Sequence, residues 1–279
     1  MAVYARLRDE LLTDPLLGEQ PPFARSYLKE VGRWEKRQGG RGRRARGVHH
    51  SPLLSPCSQM LDYNVPGGKL NRGMAVADAL AAVTGVENAG ALPSTARFQA
   101  DVAGWCIELL QACFLVADDI MDNSVTRRGQ PCWYRKEGVG LLACNDYITL
   151  DTCLYRLLSM HFGDEPYYAR LLDLFHETTH QTAHGQQLDV TTAPIGSVDL
   201  SRYTQATYDR IVTYKTAFSS FYLPVAAGML VGGVPPAGGA YAVARSICLQ
   251  MGHYFQVRQR GGSGVVWCCA GREEGRRVV

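Results

Sequence analysis

Between Phe114 and Gln130 the chain reads FLVADDIMDNSVTRRGQ, with three carboxylates inside five residues and two arginines close behind. On a helix, Asp118 and Asp122 stand one turn apart and Asp119 lies three residues before Asp122, so the three line one edge while Ile120 and Met121 turn away. The preceding WCIELLQACFLVA is apolar nearly all round, which predicts burial. Three aspartates at the end of a buried helix repel one another and are costly unless cations join them. Hard oxygen ligands suit Mg²⁺, which keeps some waters and completes its octahedron with substrate phosphates. Arg127 and Arg128 then offer guanidiniums to the phosphate oxygens. A diphosphate bridged by Mg²⁺ is a ligand that asks for both signs at once. A solvated acidic helix end is the plainer alternative for DDIMD taken alone.

Other stretches carry compatible chemistry. Gly67-Gly68-Lys69-Leu70-Asn71-Arg72 is a glycine turn opening a helix, with two cations one turn apart, and reads as a second anion site. Gln186-Gln187-Leu188-Asp189 sets a polar face on another long helix, and Tyr214-Lys215-Thr216-Ala217-Phe218 puts one lysine beside an otherwise uncharged run. His176-Glu177-Thr178-Thr179-His180 spells HExxH with His184 one turn on, the pattern of a zinc metalloprotease. The glycine-bearing extension toward a third ligand is absent, which makes this a remote alternative.

These residues need helices to hold them. Apolar spacing and breakers predict helices over 71–84, 94–123, 140–162, 166–192, 200–215, 218–232 and 239–257, with no strand and no hairpin. Lengths of 20 to 30 residues point to an all-α bundle with side chains projecting inward. No charge occurs between Thr216 and Ala244, a span long enough for a bilayer, yet Pro224, the serines and glycines, and the lack of a one-sided basic flank predict a buried helix and no membrane span.

The net charge of +3 comes from two odd segments. Residues 32–47 hold seven Lys/Arg against one Glu and the stretch from Arg258 onward five Arg against two Glu, leaving an acidic body for which no nucleic-acid partner is expected. Nine scattered cysteines without a CxxC pair read as reduced thiols of a cytoplasmic protein, and the N-terminus lacks the apolar core of a secretory signal. The organisation expected is an N-terminal helical segment (1–31), a basic low-complexity insert without packed structure (32–59), a helical domain (60–257) and an anomalous tail (258–279).

The motifs GGKLNRG, LLQACFLVADDIMDNSVTRRGQPCW, GQQLDVTTAP and YKTAFSSFYLP, in that order, resemble the all-α isoprenyl diphosphate synthases, most closely the farnesyl-making members of animals. The resemblance runs from Met60 to Val257 and implies an isoprenoid-synthase (terpenoid-synthase) helical bundle around a central cavity, a homodimer, and head-to-tail prenyl transfer. It implies that Asp118, Asp119 and Asp122 bind Mg²⁺ on the allylic diphosphate, helped by Arg127 and Lys215. Lys69, Arg72 and Arg128 would hold isopentenyl diphosphate. Gln111, Gln186, Asp189 and Gln256 match further polar positions of the site, and the Lys215 carbonyl and Thr216 hydroxyl would steady the carbocation.

Two departures from the family pattern carry expectations of their own. Cys113 and Phe114 occupy the positions five and four before the first aspartate, where farnesyl-making members place two aromatics. A thiol there implies a deeper chain pocket and a longer product. After Phe255-Gln256-Val257 the family continues into a second aspartate-rich motif and further C-terminal helices, whereas this chain reads Arg258-Gln259-Arg260. Impaired synthase activity is therefore expected, with a non-catalytic role as partner of an intact synthase as the alternative.

Overall fold

The computed structural model describes residues 1–14, 56–192 and 199–261. Its helices are α1 (Ala2–Thr13), α2 (Pro56–Asn64), α3 (Asn71–Thr84), α4 (Ser94–Met121), α5 (Ala143–Phe162), α6 (Tyr168–Thr192), α7 (Gln205–Ile211), α8 (Leu223–Val231) and α9 (Ala240–Gly261), with a π-helical segment, Val212–Tyr222, joining α7 to α8. The all-α expectation is met. Most of the basic insert lies outside the described residues, as do 15–31 and the tail from 262. Helix α2 begins at Pro56, four residues inside the segment read as insert.

Helix α4 is the centre of the bundle. Its sequence is apolar on nearly every side, as a helix surrounded by others requires. Helices α3 and α5 lie along it, so Val76 and Leu80, Ile107 and Leu110, and Leu150, Leu154 and Leu157 interleave in one core. Helix α1 closes one end through Leu7 and Leu11, each 1% exposed, and the Tyr4 ring lies 4.8 Å from that of Trp105. Burying each such leucine contributes about 1.5–3 kcal/mol. Among the described helices α4 alone is long and apolar enough to cross a membrane, and 72% of its most apolar window is buried inside the protein. The uncharged stretch 216–244 instead breaks between the π segment, α8 and the loop before α9.

Three expectations are corrected. A hairpin does exist: β1 (Thr126–Arg127) pairs antiparallel with β2 (Gln130–Pro131), Arg127 opposite Gln130. Its two-residue loop, Arg128-Gly129, has φ of 53° and 76°, the pair of positive angles a type I′ turn requires. An arginine at the first of those positions hides the usual signal. The break expected between Lys215 and Phe218 is absent, because both lie within the π segment. Wide turns of this kind are rare and gather at functional sites. Finally, the helical pattern expected to stop near Val257 runs on to Gly261.

Glycines set how closely the site helices approach. A Cβ on Gly104 of α4 would lie 2.6 Å from the Gly73 carbonyl oxygen of α3, and one on Gly185 of α6 would lie 2.2 Å from the Lys215 amide nitrogen. Along α9, Val243, Ile247, Met251 and Tyr254 leave an exposed apolar stripe beside α8. The substitution Gly185→Ala is expected to destabilise the chain by about 1–3 kcal/mol, since the clash is with backbone and the helices must separate. Urea unfolding midpoints compared with the parent check this.

Candidate active site

Asp118 is the meeting point of four chain segments. It lies near the end of the buried run of α4 and is 5% exposed. Its Oδ1 accepts hydrogen bonds from Gln186 Nε2 of α6 at 2.6 Å and from Lys215 Nζ of the π segment at 3.1 Å, while its Oδ2 lies 3.3 Å from Arg127 Nη2 of β1. Lys215 Nζ also donates to Asp189 Oδ2 at 2.6 Å, and Arg127 Nε donates to Asp119 Oδ1 at 3.0 Å. Asp119 and Asp189 are likewise buried. Close packing of α6 against the π segment at Gly185 puts Lys215 within reach of both helices.

The cluster is over-supplied with negative charge. Among the described residues, Arg127 and Lys215 are the cations bonded to Asp118, Asp119 and Asp189, with Asp122 beside them. Asp122, the residue capping α4, feels the difference. Burial first, then the neighbouring charge of Asp118 and also that of Asp189, pushes its carboxyl up to about 6, despite Lys215 and Arg127. Among the described residues no three His, Cys, Asp or Glu side chains converge closely enough to hold a metal ion. Instead, Asp118 and Asp189 converge on the Lys215 ammonium. The donor set still fits a divalent cation. It offers hard carboxylate oxygens, and the charges of Asp118 and Asp189 already bear on Asp122.

A second group of cations lies next to this cluster, Arg128 following Arg127 on the hairpin and Arg72 reaching Ser220 of the π segment that also carries Lys215. Arg72 donates to Ser220 Oγ from Nε at 3.1 Å and from Nη2 at 2.8 Å, and burial, its largest influence, pushes its pKa down. Arg128 donates from Nη1 to the carbonyls of Pro66 at 2.9 Å and Asn64 at 3.3 Å, with its guanidinium against Gly68. The left-handed turn at Arg128-Gly129 is what aims this side chain at the glycine turn before α3. Lys69 sits on that turn and is exposed. Gln111 is half-buried, two turns before Asp118 on α4.

Around the π segment, Thr216 Oγ1 accepts from Gln256 Nε2 at 2.9 Å, and His253 Nε2 meets Thr213 Oγ1 at 2.9 Å. Gly252 packs directly on Ala217, so α9 is seated against Thr216. Cys113 is buried, and burial, with the nearby charge of Asp151, pushes its thiol up to about 12. Phe114 is half-buried against the core. Along α6, His176 and His180 are exposed. His176 stacks on Tyr155 at 4.3 Å, His180 lies against His184, and Glu177 accepts from Gln181. The HETTH motif thus has its members occupied along a helix surface.

The structure therefore brings Asp118, Asp119, Asp122, Arg127, Gln186, Asp189 and Lys215 together. Arg72, Arg128 and Lys69 form a neighbouring group, and Gln256 is linked to Thr216. Sequence reasoning missed Ser220 and Glu108. Glu108 is the one acid inside the apolar run of α4, and that isolation is a usable signal.

A family model described as polyprenyl synthetase matches residues 55–259. The farnesyl pyrophosphate synthase of Ganoderma lucidum is 54% identical over 200 residues, covering 71% of this chain and 54% of the relative. That of Gallus gallus is 50% identical over 215 residues, covering 76% and 58%. Among solved structures, T. brucei farnesyl diphosphate synthase complexed with bisphosphonate matches with a TM-score of 0.72 at 32% identity, covering 93% of this chain and 67% of that one. The chain spans about half the length of these curated relatives.

Asp122 gives a test of the charge imbalance. Its proton is held more tightly in the folded chain, up to about 6 against an ordinary 3.8, so metal-free stability should fall as pH rises through that window. Asp122→Asn should flatten this slope and raise the melting temperature at pH 7. Thermal melts in chelator from pH 4 to 7.5 measure both.

Proposed function

Because the chain belongs to the polyprenyl synthetase family, we propose that its site is built for head-to-tail prenyl transfer, joining isopentenyl diphosphate to dimethylallyl or geranyl diphosphate. The observation that carries this reading is Asp118, meeting Gln186, Lys215 and Arg127 from segments up to 97 residues away. Such a concentration of carboxylates and cations has no packing purpose that apolar side chains would not serve better.

Asp118, Asp119 and Asp122, with Asp189 close by, are the residues that would hold Mg²⁺. When bound, the metal supplies Lewis-acid stabilisation of a departing diphosphate. Arg127 and Lys215 give up their carboxylate partners in part and contact the allylic diphosphate oxygens. Lys69, Arg72 and Arg128 hold the diphosphate of isopentenyl diphosphate, with Gln111 bordering the same space. As the allylic C–O bond breaks, the electron pair leaves on the diphosphate, which these cations stabilise. The Lys215 carbonyl and the Thr216 hydroxyl, oriented by Gln256, face the allylic cation. The isopentenyl double bond forms the new C–C bond, and a proton passes to the released diphosphate.

Cys113 and Phe114 border the space for the growing chain. The smaller thiol gives room for one more addition, with the fifteen-carbon diphosphate as the allylic acceptor. Arg258 follows Gln256 on α9 and is exposed; it brings positive charge where the resemblance calls for carboxylates, and turnover is reduced accordingly. On this reading the chain acts in the cytoplasm, in the supply of isoprenoid precursors, as one half of a homodimer.

The experiment is incubation with labelled isopentenyl diphosphate and dimethylallyl diphosphate, with and without Mg²⁺. Slow, Mg²⁺-dependent formation of acid-labile prenyl diphosphates is expected, and Asp118→Asn should lower it at least about a hundredfold. Product formed without Mg²⁺, or unchanged by Asp118→Asn, would contradict the reading. In the same assay Cys113→Phe should shift the products toward fewer carbons.

A further inference from the structure

Glu108 lies on α4, ten residues before Asp118, and is 4% exposed. Its Oε1 accepts from the Gly73 amide of α3 at 3.0 Å. Leu70, at the start of α3, makes no side-chain cap, so this carboxylate of another helix satisfies an amide in the first turn of α3. The contact is possible because α3 and α4 cross at Gly73 and Gly104 with no room for a Cβ. A buried carboxylate is expensive unless its charge is matched. The groups that face it are cations: its charge favours the charged state of both Arg72, next in sequence to Gly73, and Arg128. Arg72 is half-buried and Arg128 exposed, and the charge of Arg128 disfavours that of Arg72.

Resting on the reading of Arg72 and Arg128 as ligands of isopentenyl diphosphate, we propose that Glu108 is a positioning residue for that site. It fixes the first turn of α3 through Gly73 and keeps two mutually repelling arginines close enough to share one diphosphate. Neither Asp118 nor the allylic side is involved. The role has an unusual sign. A bystander carboxylate near an anion site weakens anion binding, so its neutralisation tightens it. A positioning carboxylate does the reverse, because without it the two guanidiniums separate.

The test is calorimetric titration of isopentenyl diphosphate into the full chain in chelator at fixed low salt. Glu108→Gln keeps an oxygen for Gly73 and removes only the charge; Glu108→Asp keeps the charge. Glu108→Gln should weaken binding about tenfold or more, while Glu108→Asp stays within about threefold of the parent. Binding of dimethylallyl diphosphate with Mg²⁺ should be the same in all three. Arg128→Met is the control for the site itself. If Arg128→Met weakens isopentenyl diphosphate but Glu108→Gln tightens it or leaves it unchanged, Glu108 has no positioning role. If Glu108→Gln weakens both ligands alike with a lowered melting temperature and Glu108→Asp does not rescue, the residue is merely structural and the proposal is overturned. If Arg128→Met has no effect, the assignment of the site falls, and the role of Glu108 with it.

Discussion

Repulsion among four aspartates organises this molecule. Asp118, Asp119, Asp122 and Asp189 are held at the ends of two packed helices, with Lys215 and Arg127 set against them. Three of the four are buried, so solvent screens little of their mutual field. A single bundle must therefore satisfy two opposed demands. The apolar helices α3, α4, α5 and α8 draw together to bury surface, and in doing so they force charge into a dry interior. The π segment, the hairpin and the glycine contacts at 104 and 185 are the local means by which cations are brought to that charge.

The two cation groups differ in kind. Lys215 and Arg127 neutralise carboxylates and are held by them, so a ligand that takes these cations must offer the carboxylates another partner in exchange. A divalent ion carried with a diphosphate does so. Arg72 and Arg128 are held by neutral groups, Ser220 Oγ and the carbonyls of Asn64 and Pro66, and their charge is balanced at longer range by Glu108. They can meet an anion with little rearrangement. The two cation groups are nonetheless neighbours, since Arg127 and Arg128 are consecutive and Lys215 and Ser220 share the π segment.

Much of this was legible in the chain, and the rest was hidden for identifiable reasons. The bounds of α3 follow from residues alone, because Gly85 adopts the left-handed conformation that ends a helix. DDIMD and the two arginines could be read as chemistry because they are local. That Lys215 bridges Asp118 and Asp189 could not, since the three are far apart in sequence and only packing joins them. The π segment reads as a break because apolar periodicity does not distinguish i→i+5 turns from two abutting helices. The hairpin gives no signal in the sequence because Arg128 sits where Asn or Asp usually announces a type I′ turn. Glu108 is a single acid in an apolar run, and the sequence alone does not show what it meets.

On the proposed reading the aspartates form a divalent-metal site completed by a diphosphate. It is tested most directly by electron paramagnetic resonance of Mn²⁺ added to the chain with inorganic diphosphate. The account predicts that the free Mn²⁺ signal is lost on adding both protein and diphosphate, and that it returns in the Asp118→Asn, Asp119→Asn double variant. Equal loss of signal in parent and variant, or loss in the parent without any need for diphosphate, would contradict it.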